Sequence, residues 1–154
     1  MRVRGLGCPR HVLDEALRAL AREGVQVLAQ SPVINSAAVG PSTRRYANSA
    51  ALVQSALSPP DFLRLLQRVE QHFGRGRAQR RGQRWRARML DLDIVLWSGG
   101  VWFSRDLIIP HREMRHRDFV LGPACMVAGD WRDPVSAIGL RPLYARLKRP
   151  RKRI

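Results

Sequence analysis

Asp91 and Asp93, within Leu90-Asp91-Leu92-Asp93-Ile94-Val95-Leu96, are the side chains of this sequence whose type and spacing most plainly suit chemistry. Side chains alternate along a strand, so Leu90, Leu92, Ile94 and Leu96 share one face while Asp91 and Asp93 point together from the other. Two like charges side by side are unfavourable unless something positive sits between them. A pair of carboxylates on one face is also what a magnesium ion accepts, with waters and substrate phosphates in its remaining positions. The same seven residues equally fit two aspartates on the solvent face of a half-buried strand.

The preceding segment shifts that balance. From Arg75 to Arg88 there are seven arginines in fourteen positions, with Trp85 and no acidic residue. Gly76, Gly82 and the absence of apolar periodicity predict a mobile loop. Arginine presents a fixed fork of donors suited to phosphate oxygens. Such a loop running into an Asp-x-Asp strand offers metal ligands and charge clamps together, as phosphoryl transfer requires. Alone, the loop would favour a generic nucleic-acid patch, since arginines with an interleaved aromatic suit RNA or single strands; joined to the paired aspartates, it favours nucleotide phosphates on magnesium.

Composition sets the frame. A length of 154 residues is enough for one domain with a real core. Its 28 basic residues, all arginine except Lys148 and Lys152, stand against 12 acidic ones, for a formal net charge of +16. That field attracts anionic ligands. Cys8 and Cys125 lack both metal-ligand spacing and the density of a disulfide scaffold, so reduced thiols are expected. No apolar run follows the basic Met1-Arg2-Val3-Arg4, and no segment reaches the roughly 20 apolar residues of a membrane span. The sequence therefore predicts a cytoplasmic protein without a membrane partner.

The elements that must carry these residues can be sketched from periodicity. Val12 to Glu23 reads as a helix with an apolar stripe of Leu13, Ala16, Leu17 and Leu20, closed by Gly24. Val25 to Val33 is β-rich and leads to a turn around Gly40-Pro41, and Tyr46 to Leu57 is a second strand candidate. Ser58 is a helix N-cap before Pro59-Pro60, with Phe62, Leu65, Leu66, Val69 and Phe73 as the buried stripe and Gly74 as the end. Ser98-Gly99-Gly100 reads as a turn into Val101-Trp102-Phe103, and a short helix is expected near Leu143. Residues 148–154 read as a disordered basic tail behind a single domain of residues 1–147. Together these elements predict an α+β sandwich, with helices packed on a largely antiparallel sheet.

With Ile109-Pro110-His111 added to the loop and strand, the chain resembles the 6-hydroxymethyl-7,8-dihydropterin pyrophosphokinase family of the folate pathway. The resemblance runs from about Ser31 to Pro134. Its most specific part is Arg84-Trp85-x-x-Arg88-x-Leu90-Asp91-Leu92-Asp93-Ile94, followed by Pro110-His111 and Arg117-x-Phe119-Val120-Leu121. The resemblance implies a ferredoxin-like fold and transfer of the pyrophosphoryl group of ATP to the pterin hydroxymethyl oxygen, releasing AMP. It implies Asp91 and Asp93 as ligands of two magnesium ions and Arg75 and Arg88 as catalytic arginines. Arg77 and Trp85 match loop residues that close over the site, with Trp85 on the pterin side. Gln67, Leu107, His111 and Arg117 match contacts to ATP. Asn48 matches the residue bonding the pterin edge, Tyr46 and Phe119 the flanking aromatics, and Ser36, Ala37 and Val39 other residues of that pocket. The implied partners are ATP and the pterin, with no specific nucleic acid, and the implied state is a monomer.

The chain departs from the family pattern at its start. Where members have a hydrophobic strand leading into Gly-Ser-Asn, it reads Met1-Arg2-Val3-Arg4-Gly5-Leu6-Gly7, so the first strand is expected to be missing or degenerate. Asp106 and Arg112 stand where members more often have an arginine and a tyrosine. Two other readings compete: an N-terminally shortened, inactive relative, and a basic RNA-binding protein.

Overall fold

The structure, a computed structural model, describes residues 2–4, 9–37, 45–75 and 90–151. A short strand β1 (Arg2–Arg4) precedes helix α1 (Pro9–Arg22). The helix begins earlier than its apolar stripe alone predicts, at a proline, which suits a first turn. Leu13, Ala16, Leu17 and Leu20 are all buried. At its end the Gly24 amide donates to the Ala21 carbonyl and the Val25 amide to the Leu20 carbonyl, both at 3.1 Å. Gly24 has φ +86°, so this Schellman closure needs the residue that lacks a Cβ.

The first expected strand forms only as β2 (Gln26–Gln30), and β3 (Ile34–Ala37) follows beyond its expected end, while the second is divided into β4 (Arg45–Asn48) and β5 (Ala51–Gln54). β2 pairs with β5 and β3 with β4, so both chains change sheet at the same level. The junction is a polar knot. Ser31 N donates to Ala50 O at 2.8 Å, Ala50 N donates to Ser31 Oγ at 2.9 Å, and Ser49 Oγ donates to Ser31 O at 3.1 Å. Pro32 cannot donate to a ladder, which favours the break there.

Helix α2 (Pro59–Arg75) starts as its sequence predicts, with the Asp61 amide donating to Ser58 Oγ at 3.3 Å. It passes through Gly74 instead of ending there. The segment expected as one strand from Leu90 to Leu96 enters the sheet only as β6 (Leu90–Asp91). Beyond it the chain keeps the alternation, with Leu92 buried and Asp93 exposed. A hairpin pairs β7 (Trp102–Phe103) with β8 (Ile108–Ile109), and a cis peptide joins Ile109 to Pro110. Two helices close the chain, α3 (Asp118–Ala128) and α4 (Leu140–Lys148). Periodicity does not reveal α3, because Leu121, Gly122, Pro123 and Ala124 are all buried and leave no polar face to contrast with an apolar one.

The main sheet has the order β3-β4-β1-β6. The first strand is therefore present: β1 is only three residues long, yet it lies between β4 and β6 and is antiparallel to both. Leu90 and Leu92 pack with the stripes of α1 and α2 into one core. A second core joins Met114, Leu121, Ala124 and Leu140. The architecture is α+β, with antiparallel sheets and four helices among the described residues.

Candidate active site

Register decides which face of the sheet carries the polar residues. Arg2 stands opposite Asn48 on β4 and opposite Asp91 on β6. Directly opposed residues share a face, so Asn48 and Asp91 lie in one cross-strand row. Two strand spacings separate them, roughly 10 Å. Leu90 points to the helical core from the opposite face, and Tyr46, two residues from Asn48, shares the Asn48 face.

A cavity of about 60 Å³ opens between that face and the start of α3. Five of the residues singled out in the sequence meet in its wall: Asn48, Asp93, His111, Arg117 and Phe119. They come from β4, the extended segment after β6, the turn after β8 and the first turn of α3, across 72 positions of sequence from 48 to 119 counted inclusively.

Each is held by local structure. Asn48 is 3 % exposed, at the point where β4 gives way to the Ser31–Ser49 knot. The His111 amide donates to the Val95 carbonyl at 2.9 Å, tying the histidine to the chain that carries Asp93. His111 Nδ1 accepts the Glu113 amide at 3.2 Å, so in the neutral ring the proton sits on Nε2. Arg117 caps α3 in an extended conformation and lies 3.5 Å from the Glu113 carboxylate. Its guanidinium carbon is 5.7 Å from the Phe119 ring centre, a cation–π approach. One carboxylate, one guanidinium and one imidazole thus border a pocket with an aromatic ring and a buried amide.

Other predicted residues lie elsewhere. Asp91 is half-buried on β6, on the same side as Asp93. Tyr46 is half-buried on β4, Gln67 is exposed on α2, and Leu107 is buried just before β8; none of the three lines the small cavity. Arg75 ends α2, and Ser36 and Ala37 end β3. Val39, Arg77, Trp85 and Arg88 lie outside the described residues, as does the arginine-rich segment beyond Arg75.

Sequence reasoning missed Ser49, Val95, Val120 and Pro123, which complete the cavity wall. Val120 and Pro123 carry a signal only once α3 is known, since Pro123 lies four residues after Phe119 and three after Val120 on that helix. It also missed Glu70, whose carboxylate accepts the Leu92 amide at 2.6 Å. A larger cavity, about 360 Å³, lies on the other side of the same segment, where Ile94 and Leu96 join Leu52, Phe62 and Trp97. None of the predicted site residues lines it.

The chain is related to pyrophosphokinases. It belongs to the 7,8-dihydro-6-hydroxymethylpterin-pyrophosphokinase family, whose model matches residues 5–129. The relative from Synechocystis is 37 % identical over 129 residues, covering 81 % of this chain and 64 % of that protein. The relative from Haemophilus influenzae is 35 % identical over 135 residues, 86 % of this chain and 82 % of its own. That from Pseudomonas aeruginosa is 37 % identical over 128 residues, 82 % and 76 %. All three are named 2-amino-4-hydroxy-6-hydroxymethyldihydropteridine pyrophosphokinase. The chain thus spans just under two thirds of the first of these relatives and more of the other two.

Proposed function

We infer that the protein transfers the pyrophosphoryl group of ATP to the hydroxymethyl oxygen of 6-hydroxymethyl-7,8-dihydropterin, releasing AMP, as a step of folate biosynthesis. The observation that carries this reading, beside family membership, is the convergence of Asn48, Asp93, His111, Arg117 and Phe119 on one pocket. A flat heterocycle suits an aromatic face with a few fixed polar groups. The buried Asn48 amide can donate and accept at once, which matches an aminopyrimidinone edge. Phe119 and Tyr46 would flank the ring, with Trp85 closing over it and Ser36, Ala37 and Val39 bordering it. His111, through its Nε2 proton, and Arg117 would bind ATP phosphates, while Gln67 and Leu107 would contact the base and ribose.

Asp91 and Asp93 fit magnesium. They are hard oxygen donors on one side of the chain, and Asp93 reaches the cavity wall. The ion would take its other ligands from water and substrate phosphate. When bound, magnesium would offset phosphate charge and align the triphosphate.

In the reaction the hydroxymethyl oxygen forms a bond to the β-phosphorus while the bond from that phosphorus to the α–β bridging oxygen breaks. AMP leaves with the bridging oxygen, and the proton of the hydroxymethyl group is released to solvent. Arg75 and Arg88 would stabilise the charge that develops, with Arg77 binding ATP, and no strong base is required, because positioning and charge supply most of the catalysis. We further read the fold as a ferredoxin-like sandwich with β1 central, residues 1–147 as one domain with a basic tail, and the protein as a cytoplasmic monomer without a specific nucleic-acid partner.

The test is AMP release from ATP, measured with and without the pterin and magnesium. Release that needs both is expected. No release, together with tight RNA binding at physiological salt, would favour the nucleic-acid reading.

A further inference from the structure

Asp133 lies on the connection between α3 and α4, outside the pocket wall, yet it is fully buried. Its carboxylate accepts four hydrogen bonds: two from Arg115, through Nε and through Nη2 at 2.6 Å, one from Ser136 Oγ at 2.8 Å and one from the Val135 amide at 3.0 Å. The base beneath it is itself closed, with Asp133 N donating to Ile138 O at 2.9 Å and Leu140 N to Trp131 O at 3.0 Å. Arg115 lies in the turn of residues 112–116, between His111 and Arg117, the imidazole and the guanidinium of the pocket wall. Besides its own internal bonds, that turn has three contacts with the rest of the fold among the described residues. The His111 amide holds Val95, the fully buried Met114 sits in the second core, and Arg115 holds Asp133. Of these, only the Arg115 anchor is a charged side-chain pair. Its planar fork resists rotation in a way a single-point ammonium cannot.

We propose that Arg115 and Asp133 are positioning residues, which orient His111 and Arg117 toward the phosphates of the nucleotide. The proposal rests on the pyrophosphokinase reading of the pocket. Neither residue touches the cavity, so each acts through the turn. A purely structural pair would lower the melting temperature and leave the affinities of the folded protein unchanged. A positioning pair changes chiefly the nucleotide side of the site, since Asn48, the residue of the pterin edge, lies on β4 away from the turn, and Phe119 follows Arg117 inside α3.

The experiment measures dissociation constants for a non-hydrolysable ATP analogue with magnesium, and for the pterin, by calorimetry on the full chain. Wild type is compared with Arg115→Lys, with folding checked by circular dichroism and AMP release assayed alongside. Arg115→Lys should weaken nucleotide binding about tenfold and raise the KM for ATP in parallel, with pterin affinity within twofold of wild type. Should Arg115→Lys not fold, Ser136→Ala, which removes one of the four bonds, should weaken nucleotide binding about threefold with the same selectivity. A folded variant with unchanged nucleotide affinity, or one losing both ligands equally, overturns the proposal. A wild-type protein that binds neither ligand and releases no AMP overturns the pyrophosphokinase reading itself, and with it the proposal.

Discussion

The Glu70 carboxylate, on α2, accepts a 2.6 Å hydrogen bond from the amide of Leu92, the residue between Asp91 and Asp93. A third acid thus engages the backbone of this segment from the helical side and fixes its rotation while the other two face away. Leu92, 6 % exposed, packs beside it in the helical core. Glu70→Ala should cost about 2 kcal/mol, the range for a hydrogen bond to a charged group. It should also lower turnover about tenfold by loosening the aspartates. Urea denaturation and AMP release, measured on one preparation, check both effects; unchanged turnover would leave Glu70 a stability residue only.

Asp93→Ala and Asp91→Ala should each abolish turnover at ordinary magnesium concentrations, because a lost anionic ligand has no substitute in the site. Asp93 is exposed, so its removal should change the stability of the metal-free protein by less than about 0.5 kcal/mol. Substantial residual activity in either variant would sink the metal assignment.

Arg75→Ala and Arg88→Ala should slow the chemical step more than they weaken binding, since they are assigned to charge that develops in the transition state. The expected cost is roughly 3–4 kcal/mol each, or two to three decades in rate, by analogy with a lost oxyanion donor. Single-turnover kinetics decide it: unchanged rates with raised KM would make these arginines binding groups.

Asp133 carries a pH signature. Burial pushes its carboxyl up, but the Arg115, Ser136 and Val135 hydrogen bonds outweigh burial and hold it down, from 3.8 to about 2. A depressed carboxyl stabilises the fold above its unfolded value of 3.8, and that contribution is lost as pH falls toward and through about 2. The loss should be roughly 2 kcal/mol. Denaturation of wild type and Asp133→Asn at pH 5 and pH 2.5 isolates it: the gap between the two proteins should narrow in acid. A gap that stays constant would contradict the pair as the source.

Ala137 adopts φ +61° in the turn that carries Asp133, and its amide donates to the Asp133 carbonyl at 2.7 Å. A Cβ is unfavourable in that left-handed region by about 1–2 kcal/mol, against roughly 0.4–1 kcal/mol of extra unfolded-state entropy for glycine. Ala137→Gly should therefore stabilise the protein by about 0.5–1 kcal/mol, seen as a higher denaturation midpoint with an unchanged slope. Destabilisation would show that the methyl group packs favourably enough to offset its strain.

Much of this architecture is legible in one dimension. The stripes of α1 and α2, the Ser58 cap, the Gly24 closure and the alternation at Leu90–Asp93 depend on contacts within a few residues, so type and spacing determine them. The aspartates, the Pro110-His111 step and Arg117-x-Phe119 are likewise visible, because each is a short motif with its own chemistry. Tertiary structure decided the rest. Whether three residues at Arg2–Arg4 form a central strand depends on β4 and β6, which lie far along the chain. The breaks at Ser31 and Ser49 exist only as a pair, since each satisfies the other's polar groups. Helix α3 is hidden because it is buried on several sides, and Glu70 and Asp133 show their partners only when 22 and 18 residues of separation, respectively, are closed by folding. Local rules choose elements and mark reactive residues; long-range burial and hydrogen bonding choose which of them meet.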